Sequence, residues 1–320
     1  MDTPFKVWVL IIAVLFGAGG LAAFLFPRVK KAYLTRFSLF CSFAGGAVSA
    51  LGVIFFSATN QLSQKFQLPW PGMNVILNEA AAFTHVNIAL DPLSGFFILL
   101  TGAFTAIISI YSIAWLRNEG ECDRIVSVFN LFVLCTIFTL LADQVFFYLF
   151  FLEGITLTFS YLLLYRHNKN LREGGASEEV DAGRLAFKSY LIFNHIGIIL
   201  LTVGLLVIAA YYHSFNFEDF RRIAAQYPQL QPLMSQAGAN LAFCLAFLGL
   251  VFKAGIFPAY VWVPIAHPQS PTNIHAMLSG IILKVSGIYG MLRVFFQFFH
   301  PDQPGLHPFQ FLFHPEVFLE

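Results

Sequence analysis

Long apolar runs separated by polar links make up this chain. A hydrocarbon core roughly 30 Å thick needs about 20 apolar residues per helix. Eight windows meet that length, near residues 7–26, 37–58, 93–116, 125–142, 144–165, 187–210, 239–257 and 273–297. The pattern predicts an all-α, polytopic membrane protein with about eight transmembrane helices. The first window follows Lys6 as the core of a signal peptide would, but it is too long for one. Pro27-Arg28 stands where a small-residue cleavage site belongs, so the window reads as a membrane anchor.

The polar links set an orientation. Loop one carries Arg28, Lys30, Lys31 and Arg36, loop three Arg117 and Arg124, and loop five Arg166, Lys169, Arg172, Arg184 and Lys188. The N-terminus and the even links hold Lys6, Lys65, Arg221, Arg222 and Arg293. The positive-inside rule then puts the odd loops in the cytoplasm and the N-terminus outside. Residues 59–92 form a long outer link, with Pro69 and Pro71 flanking Trp70. In the link 211–238, Asn216 reads as an N-cap with Asp219 three positions on. Phe217, Phe220, Ile223, Ala224 and Tyr227 would share one face of a short interfacial helix, with Arg221 and Arg222 on its wet side.

Composition agrees. The chain is 58% hydrophobic and 11% charged, with 39 phenylalanines, against about 45–50% and about 25% in soluble domains. Its 18 basic and 17 acidic residues nearly cancel, which leaves no basic face for nucleic acid. Cys41, Cys122, Cys135 and Cys244 are scattered without a CxxC, so neither an iron–sulfur cluster, structural zinc nor a disulfide framework is supported.

Glu153, Lys253 and Lys284 fall well inside predicted spans. A charge at the bilayer centre costs roughly 2.5–3.5 kcal/mol by insertion scales, so such residues mark function by default. The alternative is a structural ion pair that fixes helix packing. A buried amine beside a movable carboxylate can take and release a proton, and Lys253 suits that role best. Pro258, Pro264, Pro268 and Pro271 crowd the end of the seventh span around Trp262 and His267, predicting a broken helix of the kind transporters use beside ionisable residues. The alternative there is a re-entrant connection just outside the bilayer. His195, in the sixth span, is a fourth candidate for a relay, or else a packing histidine. Lys188, about two turns earlier, falls at the cytoplasmic mouth. His275 opens the eighth span and fits either role. No histidine pair has the spacing of a helical metal site.

Residues 252–293 run Phe-Lys-Ala-Gly-Ile-Phe-Pro-Ala-Tyr-Val-Trp-Val-Pro-Ile-Ala-His-Pro through Ser-Pro-Thr to Leu-Ser-Gly-Ile-Ile-Leu-Lys-Val-Ser-Gly-Ile-Tyr-Gly-Met-Leu-Arg. This block closely resembles the antiporter-like membrane subunits of respiratory complex I and their relatives. Asp91-Pro92-Leu93-Ser94, the Glu153 segment and Asn194-His195-Ile196-Gly197 fit the same pattern. The details look most like the large membrane subunit of hydrogenase-4 and formate hydrogenlyase complexes. The resemblance implies that Glu153 and Lys253 are the proton-handling pair and that Lys284 passes the proton on. His195 matches a histidine of the hydrogenase branch. Leu152 replaces the family's usual tryptophan, Ile265 its usual polar residue before Ala-His, and nothing carries over to His275.

The same resemblance implies an antiporter-like fold with three leading helices (1–120), a five-helix repeat (121–300) and a tail (301–320). Family members usually have about fourteen spans, so the second repeat is expected on another chain or is lost. The implied function is a proton-translocating membrane subunit of a multisubunit redox complex in the inner cell membrane. It would have no redox centre or cofactor of its own. Its partners would be other membrane subunits and a peripheral hydrogenase or NADH dehydrogenase module. A subunit of a sodium or potassium/proton antiporter is the alternative, and a truncated, non-conducting scaffold the third.

Overall fold

The computed structural model describes residues 3–69, 85–119, 123–174, 176–220 and 236–294. Among these, eight helical stretches are long and apolar enough to cross a membrane. The first three are α1 (Thr3–Leu25), α2 (Lys31–Ala58) and α3 (Pro92–Glu119). They are followed by α4 (Asp123–Leu141), α5 (Val145–Arg172), α6 (Ser177–Tyr212) and α7 (Gln236–Ala254). The last span is segmented, as described below. Helix α6 begins ten residues before its apolar window, and its first turn carries Glu178 and Glu179, where the helix dipole favours acids.

Helix α2 packs on α1 and α3, α4 on α1 and α5, and α6 lies between α5 and α7. Small polar residues line these crossings. Ser38 donates to the Gly19 carbonyl at 2.9 Å and lies 3.2 Å from Ser127 Oγ, and Ser109 donates to Ser42 at 2.8 Å. Thr101, Thr105 and Thr136 each bond the carbonyl four residues back. Where lipid cannot satisfy a hydroxyl, its own helix or the next one must.

The all-α reading holds for the membrane part but missed one element. In the outer link, β1 (Gln64–Pro69) and β2 (His85–Leu90) form an antiparallel hairpin, with Phe66 opposite Ile88. The hairpin extends into the connections beyond it. Ile88 bridges to Ala142 and Gln144 to Asn216. Asp143 N–H donates to the Asn87 carbonyl at 3.1 Å, Val145 N–H to Phe215 at 2.9 Å and Phe217 N–H to Asp143 at 3.2 Å. Asn216 sits one residue before the helical turn at 217–220, where an N-cap belongs, but its side chain binds Asn87 and Asp219. Phe217 and Phe220 are buried against the bundle, Phe217 edge-on to Tyr148, so this face docks on protein. The remaining predicted interfacial residues (Arg221, Arg222, Ile223, Ala224 and Tyr227) and the tail 301–320 lie outside the described residues.

The seventh span breaks as expected, and the helix stops at Gly255, three residues before Pro258. Gly255 has φ +62°, its N–H bonds the Phe252 carbonyl at 3.3 Å, and Ile256 N–H reaches Val251 at 3.2 Å. That paired closure is a Schellman motif, which a left-handed glycine completes. A 3₁₀ turn (Ala259–Val261) and α8 (Trp262–Gln269) follow, with Pro264 and Pro268 inside α8. The eighth span starts as α9 (Thr272–Met277) and passes through two π-helical segments, Leu278–Ile282 and Lys284–Tyr289, into α10 (Gly290–Arg293).

Candidate functional site

Glu153 lies eight residues into α5, about 12 Å along its axis. Lys253 occupies the last turn of α7, the end of a helix that favours a cation. Lys253 is 1% exposed. Its Nζ lies 3.6 Å from Glu153 Oε2, an ion pair rather than a hydrogen bond, and donates to Thr156 Oγ1 at 2.6 Å. The Thr156 hydroxyl is oriented for this, since its own proton goes to the Leu152 carbonyl at 3.3 Å. A buried ammonium needs such compensation to stay in a core of this kind.

His195 meets the other carboxylate oxygen, with Nε2 3.1 Å from Glu153 Oε1. Its Nδ1 lies 2.9 Å from the Leu191 carbonyl, which can only accept, so Nδ1 carries hydrogen. The Nε2–Oε1 contact then requires one further proton, held either by the imidazole or by the carboxyl group. Glu153 thus faces the Lys253 amine on one oxygen and the His195 imidazole on the other. This arrangement can hold, pass and release a proton without rebuilding the backbone.

Close helix contact brings these groups together. A Cβ on Gly249 of α7 would lie 2.6 Å from the Gly197 carbonyl oxygen and from Leu201 N of α6, so only glycine permits the crossing. The same holds at Gly287, where a Cβ would sit 2.1 Å from that of Ala254. Span eight therefore presses against the end of α7, and Ser286 donates to the Lys253 carbonyl at 3.5 Å. Leu278, Leu283 and Ser286 close a cavity of about 10 Å³ beside Lys253, whose other walls include Tyr190, Asn194 and Trp262. That volume is about the size needed for one water.

Sequence from 142 to 313 matches the family described as NADH:quinone oxidoreductase/Mrp antiporter, TM. The chain belongs to this family. It is 28% identical over 214 residues to hydrogenase-4 component B of Escherichia coli (strain K12), covering 66% of this chain and 29% of that protein. An uncharacterised protein of Mycobacterium tuberculosis (strain ATCC 25618 / H37Rv) is 31% identical over 217 residues, 68% of this chain and 30% of that one. The fold is shared with a chain of the archaeal membrane-bound sulfane sulfur reductase, at TM-score 0.74 and 17% identity, covering 96% of this chain and 55% of that one. The chain thus spans between 29% and 40% of the length of the curated relatives it matches.

Within this antiporter-family chain, the structure brings Glu153, Lys253 and His195 into one cluster but not Lys284 or Lys188. Lys284 lies on the π-helical stretch, exposed, with its Nζ on the Ser279 carbonyl. Lys188 is exposed on α6, seven residues before His195. Thr156 was not anticipated, although its place three residues after Glu153 puts both on one face of α5. His267 Nδ1 lies 2.9 Å from His275 Nε2 across the α8–α9 junction, so one of these imidazoles donates to the other. Cys41, Cys135 and Cys244 are unpaired thiols, while Cys122 lies outside the described residues.

Proposed function

We propose that this chain is a proton-translocating membrane subunit of a multisubunit redox complex in the inner cell membrane, with its N-terminus outside. The supporting observation is the divided coordination of Glu153, whose two oxygens face Lys253 and His195. In this reading, drawing Glu153 away from Lys253 drives a proton off the amine, and Lys284 carries it onward. His195 loads the carboxylate, and Lys188 serves the cytoplasmic mouth. Separating unit charges held about 4 Å apart at an effective dielectric near 20 involves about 4 kcal/mol. Moving one charge against 100 mV involves about 2.3 kcal/mol, so displacement of the pair is large enough to drive transport. Similarity to a hydrogenase-4 component supports a hydrogenase-like peripheral module as the redox partner, coupled through other membrane subunits.

The second reading is a subunit of a sodium or potassium/proton antiporter. It is favoured by the family's own description and by a TM-score of 0.68 to a chain of the Mrp complex from Dietzia sp. DQ12-45-1b, at 20% identity over 92% of this chain and 49% of that one. Affinity purification of the tagged chain from its native membranes, followed by proton uptake in inverted vesicles, tests both. Redox proteins should co-purify, and Lys253→Ala should lower donor-driven uptake at least about a hundredfold, the lower range for losing a proton-transfer group. Sodium-driven uptake without an electron donor would favour the second reading. Unchanged donor-driven uptake in Lys253→Ala would rule out the relay.

A further inference from the structure

Lys284 stands outside the Glu153 cluster, and Leu278 and Leu283 form the wall that span eight presents to the cavity beside Lys253. The span is pinned at both ends. Asn273 donates to Ser112 of α3 at 3.2 Å. At the far end Arg293 pairs with Asp91 and donates to the Tyr289 hydroxyl at 2.7 Å, and Tyr289 donates to the Leu140 carbonyl at 2.8 Å. Between these anchors the helix is π-wound twice, over Leu278–Ile282 and Lys284–Tyr289. A π turn closes its hydrogen bond one residue later than an α turn, and such turns occur mostly as single bulges, often at functional sites.

A spare residue on either side makes the short stretch between the two segments adjustable. When the spare residue after Lys284 is taken up before it, the residues between turn by one helical step, about 100°. Lys284 then takes the place of Leu283, and the buried Val285 takes the exposed place of Lys284. Leu283 borders the cavity of about 10 Å³, so the step carries the Lys284 side chain from the outer flank to the water-sized space beside Lys253. Turning Val285 outward costs little, since lipid tails are as apolar as the core it leaves. The movement is also bounded. Gly287 is pressed on Ala254, where a Cβ would sit 2.1 Å from that of Ala254, so the residues beyond it keep their register.

Charge separates the two positions. An ammonium brought beside that of Lys253 is repelled, whereas on the flank the Lys284 amine is held by the Ser279 carbonyl. A neutral amine meets no such repulsion. We propose that span eight is a register switch that brings Lys284 to Lys253 as a neutral amine and returns it to the flank as an ammonium. One N–H bond of the Lys253 ammonium breaks and one forms on the Lys284 nitrogen, a step that rests on the reading that Lys253 yields its proton to Lys284.

The test uses the full tagged chain in its native membranes, with the native cysteines replaced. Leu283→Cys/Ile155→Cys reports the register of the structure, since both residues line the cavity, and Lys284→Cys/Ile155→Cys reports the shifted one. A short bifunctional thiol reagent should cross-link both pairs. It should spare Ile288→Cys/Ile155→Cys, because Ile288 is exposed and lies beyond Gly287. Deleting Ile288 removes the spare residue of the second π segment. The deletion should keep the Leu283→Cys cross-link, abolish that of Lys284→Cys and lower donor-driven proton uptake about a hundredfold, although Lys253 and Lys284 are both present. The cysteine pairs carry the test if the deletion variant does not fold. A Lys284→Cys pair that cross-links no better than the Ile288→Cys pair, or normal uptake in a folded deletion variant, overturns the switch. Cross-linking of both pairs with unchanged uptake in Lys253→Ala would instead overturn the proton step and the reading beneath it.

Discussion

Glu153 and Lys253 were legible because an ionisable residue inside an apolar run stands out in sequence. Their partners were less so, since Thr156, Tyr190 and Asn194 are ordinary residues for a membrane helix and gain meaning only from what they face. Thr156→Val should keep the chain folded and lower proton uptake about tenfold to a hundredfold, because a hydrogen bond to a charged group contributes about 1.5–3 kcal/mol. Unchanged uptake in vesicles would remove Thr156 from the relay. Glu153→Gln leaves Lys253 buried without its counter-charge, and breaking a buried pair costs about 3–5 kcal/mol. Its thermal unfolding in detergent should fall clearly below wild type. Glu153→Gln/Lys253→Met should recover much of that loss while remaining unable to move protons. That result would separate the stabilising role of the pair from the transport role proposed for it.

At the scale of elements, helix number and approximate bounds followed from span length alone, whereas the interruptions did not. Four prolines pointed to a broken seventh span, and the stop falls at the left-handed Gly255 just before the first of them, whereas the hairpin went unseen inside a link too polar to read as membrane. The tight α6–α7 contact was equally hidden, since Gly197 and Gly249 lie far apart in sequence. Gly249→Leu should force the two helices apart and destabilise by about 1–3 kcal/mol or more, as overpacking does, measurable as a lower melting temperature. Another prediction concerns Asp91, which closes a reciprocal cap with Ser94 before α3 and pairs with the buried Arg293 of α10. Burial opposes ionisation of Asp91, but the guanidinium and the hydrogen bonds outweigh it and hold its carboxyl below the usual carboxylate value. With the folded value depressed, the stabilisation is complete above the ordinary Asp range and is lost as pH falls through the depressed value. Melting temperature should therefore drop on acidification below about pH 4 in wild type and change less in Asp91→Asn.

On the scale of the whole molecule, the two poles differ. The basic pole holds the cavities lined by Lys31, Arg124 and Lys169, and the hairpin pole carries few cations, among them Lys65, which pairs with Glu218 at 2.6 Å. The placement of lysine and arginine along the chain already carried this asymmetry. In a background with the four native cysteines replaced, Lys65→Cys should react with an impermeant thiol reagent in whole cells. Arg172→Cys should react only after permeabilisation, and the reverse pattern would invert the orientation. The lacing of β2, residues 142–145 and residues 215–217 was beyond composition because it is made of main chain. Asp143, Val145 and Phe217 are buried donors within it. Their amide hydrogens should trade with solvent deuterium only when several strands part together, far more slowly than those of the basic pole. The lacing sits at the end of α5 nearer to Glu153, eight residues away, so in the proposed relay any water arriving from that end would first have to part several main-chain hydrogen bonds at once.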